Sequence, residues 1–285
     1  MRMIATKAIP AWVIGEFIGT FILVFFGCGS VCAAVTTGAQ VGVFQVAIIW
    51  GLGIATAIHL TASLSGAHLN PAVTISFAAW DGFPKRRAAG YIATQMVGAF
   101  VAAAVLQLIF AGAISEFEAK NGIVRGQPGS EASAMVFGEF YPNPQGRPLT
   151  KANLGRMSQG RAFVAEVIGT AILLLVIFGV TDERNKSRPQ ILTAATIGLT
   201  VTMLISLLGP LTMACFNPAR DFGPRLFSSL SGWGAVPFTA NGMGWLIVYI
   251  LAPVLGGLMG GGIYRAFLRP NYAASGSRIP GEGAP

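Results

Sequence analysis

Six long apolar stretches divide this chain, at about residues 11–32, 43–63, 88–113, 162–180, 191–209 and 243–267. At 1.5 Å per helical residue each is long enough to cross a hydrocarbon core of about 30 Å. A segment in lipid has no water to satisfy its backbone, and a helix solves that problem internally. Charge is scarce and clustered: 11% of residues are charged and 53% hydrophobic, whereas soluble chains carry about a quarter charged residues. The 37 glycines suit helices that pack closely in a membrane. The chain opens Met1-Arg2-Met3 and runs directly into the first apolar stretch, which reads as a span and not as a cleaved leader. These features predict an all-α polytopic membrane protein forming one domain over residues 1–285.

Two of the joints hold a further helix each. Asn70-Pro71-Ala72 follows span two and Asn217-Pro218-Ala219 follows span five. Asn is a favoured N-cap, and Pro at the first helical position gives up an N–H that would have no partner there. The helices so begun stop near Trp80, before Asp81-Gly82-Phe83-Pro84, and near Ser228, before Ser231-Gly232. Ten residues cover roughly 15 Å, half of the core. Two half-membrane helices are therefore expected.

The two halves repeat. Glu16, Gly19 and Thr20 recur as Glu166, Gly169 and Thr170, the Asn-Pro-Ala motifs as a pair, and Tyr91-Ile92 with Gly98 as Tyr249-Ile250 with Gly256. Each unit reads span, span, half-helix, span, over 11–113 and 162–267, with 114–161 between them. Three spans are an odd number, so the second unit enters the membrane from the opposite side, and the repeat is inverted.

Orientation follows from the joints. One side collects Arg2, Lys7, Lys85, Arg86, Arg87, Arg184, Lys186, Arg188, Arg265, Arg269 and Arg278, against Asp81, Asp182, Glu183 and Glu282. The segment 114–161 sets six Lys and Arg against Glu116, Glu118, Glu131 and Glu139. The more basic side is expected in the cytoplasm with both termini. The segment 114–161 is then an external cap without regular structure, and 268–285 a mobile cytoplasmic tail. No basic stripe interleaved with aromatics suggests nucleic acid. Cys28, Cys32 and Cys215 match no metal spacing and read as free packing residues.

If both half-helices dip inward, their Asn-Pro-Ala corners meet near the midplane. The extended approaches must then be protein-buried or line a cavity. The carbonyls of Gly66, Ala67, His68 and Leu69, and of Met213, Ala214, Cys215 and Phe216, are expected to form a ladder of acceptors along a pore. Asn70 and Asn217 would offer donors at its centre, beside two positive helix ends. Such a site suits neutral hydroxylated molecules and repels cations. Glu16 and Glu166 could be proton relays, but the approaches need acceptors for their N–H groups, and structural support is the stronger reading. His68 is placed along the cytoplasmic half of the pore, His59 in packing, and Gly51, Gly53, Gly98, Gly169 and Gly256 at helix crossings. Neither a cofactor site nor a nucleophile with base and orienter can be assembled.

The stretch Ser65 to Thr74, with Gly209-Pro210-Leu211-Thr212 leading to Asn217-Pro218-Ala219-Arg220-Asp221-Phe222-Gly223-Pro224, resembles the major intrinsic proteins, the aquaporins and glycerol facilitators. Asp221 resembles the glycerol-conducting branch, as do Ile123-Val124-Arg125-Gly126 and Tyr141-Pro142-Asn143-Pro144. The resemblance places the family's selectivity filter on Trp50, Ile205, Ala214 and Arg220. Glycerol facilitators resemble Trp, Gly, Phe and Arg there, so Ile205 and Ala214 depart. Trp, a small aliphatic, Ala and Arg is similar to the nodulin-26-like channels of plants, which pass glycerol, other small uncharged solutes and often metalloid hydroxides. Trp50 would give an apolar wall and Arg220 hydrogen bonds and positive charge. The resemblance implies a homotetramer in the inner or plasma membrane, surrounded by lipid and passing glycerol and water. The competing readings are an ion-coupled transporter, a mainly water-conducting channel, and a structural membrane protein with a closed lumen.

Overall fold

The computed structural model describes residues 9–40 and 42–274. Arg2, Lys7, Arg278 and Glu282, and the tail beyond residue 274, lie outside the described residues. The six spans are α1 (Ala11–Thr37), α2 (Val43–Ser65), α4 (Lys85–Asn121), α5 (Gln159–Thr181), α6 (Gln190–Thr212) and α8 (Gly244–Tyr272). The half-helices are α3 (Pro71–Trp80) and α7 (Pro218–Ser228).

The inverted repeat is visible in what packs on what. α1 lies on α2 and α4, as α5 lies on α6 and α8. Each half-helix packs against the last span of the opposite repeat, α3 on α8 and α7 on α4. α2 and α6 cross each other where Gly51 meets Gly198: a Cβ on Gly51 would stand 2.5 Å from the Gly198 carbonyl oxygen, and one on Gly198 would press on that of Gly51. The same closeness joins α1 to α4 and α5 to α8. A Cβ on Gly98 would come 2.6 Å from the Phe17 oxygen, and one on Gly256 would press on the Val167 oxygen. Small residues let the backbones touch, and dispersion over these seams is what holds helices together where lipid is as apolar as the protein.

Four expectations change. α4 continues as regular helix to Asn121, well past residue 113. The connecting segment is not a cap without regular structure: it has single helical turns at Glu131–Ala134 and Lys151–Leu154, and residues 130–141 are buried within the bundle. Phe137 and Phe140, at 1% and 0% exposure, supply the apolar surface that draws it in. The last helix runs on through Arg269–Ala274, so the first part of the tail is ordered. There Arg269 reaches both Asp81, at 3.8 Å, and Asp182, at 3.6 Å. His59 is exposed on the outer face of α2 and is not a packing residue. Cys28, Cys32 and Cys215 are buried and free.

Candidate functional site

The two Asn-Pro-Ala corners meet and hold each other. Asn70 caps α3 by accepting from the Ala72 N–H at 2.8 Å, and Asn217 caps α7 by accepting from Ala219 and Arg220 at 3.0 and 3.3 Å. The carboxamide nitrogens then cross over. Asn70 Nδ2 donates to the Phe216 carbonyl at 2.8 Å, and Asn217 Nδ2 donates to the Leu69 carbonyl at 2.9 Å. Each carboxamide keeps a second N–H, and both residues line the same cavity. The Leu69 and Phe216 carbonyls, expected on the lumen ladder, each use one lone pair in this lock and keep the other.

The approach segments carry matching backbone conformations. Gly66, Ala67 and Leu69 have φ of 81°, 49° and 52°, and Met213, Ala214 and Phe216 have 65°, 59° and 52°. A left-handed conformation costs a non-glycine residue about 1–2 kcal/mol, so the surroundings must compensate. They do so twice in the same way. Glu16, fully buried, accepts from His68 N at 3.0 Å and from Leu69 N at 2.8 Å, and is steadied by Gln95 Nε2 at 2.7 Å. Glu166, also fully buried, accepts from Cys215 N at 3.0 Å and Phe216 N at 2.9 Å, and from the Thr212 hydroxyl at 2.6 Å. Tyr91 donates to the Ser65 carbonyl at 2.8 Å, and Tyr249 to that of Thr212 at 3.1 Å. Every acceptor that straightens one approach has a counterpart on the other.

The lumen is a series of three chambers. The middle one, about 190 Å³, is lined by hydrocarbon from the spans (Leu23, Ile54, Leu173, Ile177, Ile197 and Val201). Gly66 to Asn70 and Ala214 to Asn217 line it as well. A chamber of about 540 Å³, on the side of the connecting segment, shares Trp50, Ile205 and Arg220 with it. The third, about 340 Å³ at the opposite end, shares Phe77 and Thr181. Trp50, Ile205 and Arg220 thus form the partition between two chambers. Ala214 lines the middle chamber alone, a step inward, and Met213 lines only the wide chamber. His68 lines the middle chamber, its Nδ1 at 3.2 Å from Thr74 Oγ1 and its ring 4.9 Å from that of Phe77.

Arg220 sits in the first turn of α7 with its guanidinium 4.0 Å over the Trp50 ring. Its charge is paired, and the partner is Glu139 of the connecting segment, 2% exposed. Asp221, the nearer candidate in sequence, is taken by Arg225, whose Nε and Nη2 donate to its two oxygens at 2.8 and 2.7 Å. Asp221 and Arg225 together fix Glu139: Asp221 Oδ1 accepts from the Glu139 N–H at 2.7 Å, and Arg225 donates to the Glu139 carbonyl and to that of Pro237. In the sequence Glu139 is one loop charge among several and Arg225 carries no motif. No local spacing connects positions this far apart, and only burial of residues 130–141 brings them together. The pairing also alters the electrostatics. Paired with Glu139, Arg220 presents donors more than net charge.

The chain is similar to known proteins over nearly its whole length. It matches the major intrinsic protein family over residues 4–264. It is 41% identical to the glycerol uptake facilitator protein of Pseudomonas aeruginosa over 273 residues, covering 95% of this chain and 93% of the relative. It is 38% identical to the propanediol uptake facilitator PduF of Citrobacter freundii over 265 residues, covering 93% and 94% of the two chains. The X-ray structure of the aquaglyceroporin from Plasmodium falciparum superposes with a TM-score of 0.79 at 29% identity, covering 93% of this chain and 98% of that one. On these matches and on the inverted repeat locked by paired Asn-Pro-Ala corners, the chain belongs to the major intrinsic protein family.

Proposed function

We propose that this protein is a passive channel for glycerol and other small neutral solutes, with water, urea and metalloid hydroxides as further candidates. The observation that carries the reading is a lumen lined both by apolar span side chains and by the two approach segments, with Trp50, Ile205 and Arg220 shared between its chambers. A polyol presents CH faces to Trp50 and Ile205 while its hydroxyls exchange water for Arg220, Asn70, Asn217 and the approach carbonyls. A file of water gains nothing from the hydrocarbon. Trp50, Ile205, Ala214 and Arg220 act as the filter in this reading, with Ala214 giving room just inside the partition. Glu16, Glu166 and Asp221 support the backbone and take no part in proton movement. The similarity to named glycerol and propanediol facilitators agrees with this class of solute.

In the proposed orientation the joints bearing Lys85, Arg86, Arg87, Arg184 and Arg188 face the cytoplasm of a bacterial-type inner membrane, with both termini. The assembly proposed is a homotetramer in lipid with one pore in each subunit. The test is stopped-flow light scattering on vesicles carrying the protein. They are expected to shrink and then re-swell faster in glycerol than empty vesicles, with no response to an imposed proton gradient. An absolute need for that gradient would replace the channel by an ion-coupled transporter.

A further inference from the structure

The segment between the repeats sets six basic residues against four acidic ones in the sequence, and the fold sharpens that excess at its surface. Of its four glutamates, Glu118 pairs with Arg125 at 2.9 Å and Glu139 with Arg220, and both are buried. Glu131, 4% exposed, spends its oxygens on the backbone N–H groups of Gly129 and Leu149 at 2.9 and 2.7 Å. Three of the four acids are turned inward and Glu116 stays exposed, as do Arg147, Lys151, Arg156 and Arg161, and no Asp or Glu occurs from residue 140 to 165. This end of the bundle therefore carries a concentrated positive surface.

Two of those charges share a concavity. Arg147 and Arg156 line a pocket of about 230 Å³ together with Asn143, Gln145, Asn153 and Leu211. Neither guanidinium has a side-chain partner among the described residues. The Asn143 carboxamide is already used, its nitrogen donating to Gly209 O and its oxygen accepting from Gln145 N, so the pocket wall is fixed. Leu211 closes the side toward the spans and is 41% exposed, with Leu207 a turn below at 71%. The pocket thus lies where a charged rim meets apolar helix surface.

We propose that this pocket binds a phosphate group through Arg147 and Arg156. Guanidinium forks match phosphate oxygens in a bidentate geometry, and two forks without a carboxylate between them select an anion over a neutral ligand. The phosphate can come from the headgroup of an anionic phospholipid, whose chains would pass Leu211, or from a free phosphate ion.

The experiment is native mass spectrometry of the purified full chain titrated with dioleoyl phosphatidylglycerol, then with inorganic phosphate as competitor. Wild type is expected to hold the lipid, and R147Q/R156Q to hold it about tenfold more weakly. K151Q/R161Q removes the same charge outside the pocket and is expected to stay within about twofold of wild type. Displacement of the lipid by phosphate, or phosphate binding alone, assigns the pocket to the free ion, and resistance to displacement assigns it to the headgroup. Equal weakening in both double variants would mean diffuse surface charge and overturn the site, as would the absence of lipid and phosphate binding alike. Should R147Q/R156Q not fold, R147K/R156K keeps the charge and loses the fork, and unchanged lipid affinity in that pair would overturn the assignment.

Discussion

Glu166→Gln tests whether the buried carboxylates are backbone supports. The carboxylate receives three donors: Thr212 Oγ1 and Cys215 N on one oxygen, and Phe216 N on the other. Gln has one oxygen, so its NH₂ must face the N–H of Cys215 or that of Phe216. Donor then meets donor at a fully buried site. An unsatisfied buried donor costs about 1–3 kcal/mol. With the backbone N–H and the facing amide both affected, the loss comes to about 2–6 kcal/mol. Phe216 and Ala214 also keep the left-handed conformation that this contact holds in place. A loss of about 3 kcal/mol lowers the ratio of folded to unfolded protein by roughly 150-fold, a large share of a typical total of about 5–15 kcal/mol. The assay is membrane yield and the monodisperse fraction after a heat step, followed by glycerol flux per inserted protein. Yield and heat resistance are expected to fall well before the flux of the surviving protein changes. Wild-type yield together with a new pH dependence of flux would refute the reasoning and make Glu166 part of a proton path. Glu16→Gln is expected to cost the same within about 1 kcal/mol, because Glu16 holds the equivalent N–H pair.

Three further outcomes are expected. Ala214→Phe alone should lower glycerol flux by crowding the lumen beside Trp50, and adding Ile205→Gly should restore much of it. Strictly additive effects on the two permeabilities, measured by light scattering, would mean that the two side chains do not share one constriction. Glu139→Gln leaves Arg220 as an unpaired buried charge and should reduce yield, by about 3–5 kcal/mol of stability, whereas Glu139→Gln with Arg220→Val should recover part of it; equal yields for the single and double variants would dismiss the pair. Gly51→Ala places a methyl 2.5 Å from the Gly198 oxygen and should destabilise the α2–α6 crossing by about 1–3 kcal/mol. Gly112→Ala meets nothing within 4 Å and should be neutral or stabilising by up to about 1 kcal/mol, so similar thermal midpoints for the two would refute the crossing as a close contact.

Much of this architecture can be read without coordinates because lipid leaves the backbone few options. The apolar runs, the Asn-Pro helix starts and the odd number of spans per repeat lead to an inverted pair of three-span units with half-helices. The same symmetry marks Glu16 and Glu166 as equivalent, and their equivalence suffices to suggest a shared role. Which atoms complete that role is not legible from the repeat, because Gln95 steadies one carboxylate and the Thr212 hydroxyl the other. Nor does the repeat reveal that the Asn70 and Asn217 carboxamides each bind the other corner's carbonyl. The larger gap lies in the segment between the repeats. Its residues follow neither the span period nor the repeat, so Glu139 and Glu131 read there as solvent-facing charges. Tertiary burial of Phe137 and Phe140 carries Glu139 onto Arg220, and Glu131 is buried with it. The local pattern of the chain fixes helices and their order, because those depend on neighbours in sequence. The pairing of charges more than eighty residues apart depends on which apolar surface the loop finds, and that is decided only when the bundle closes around it.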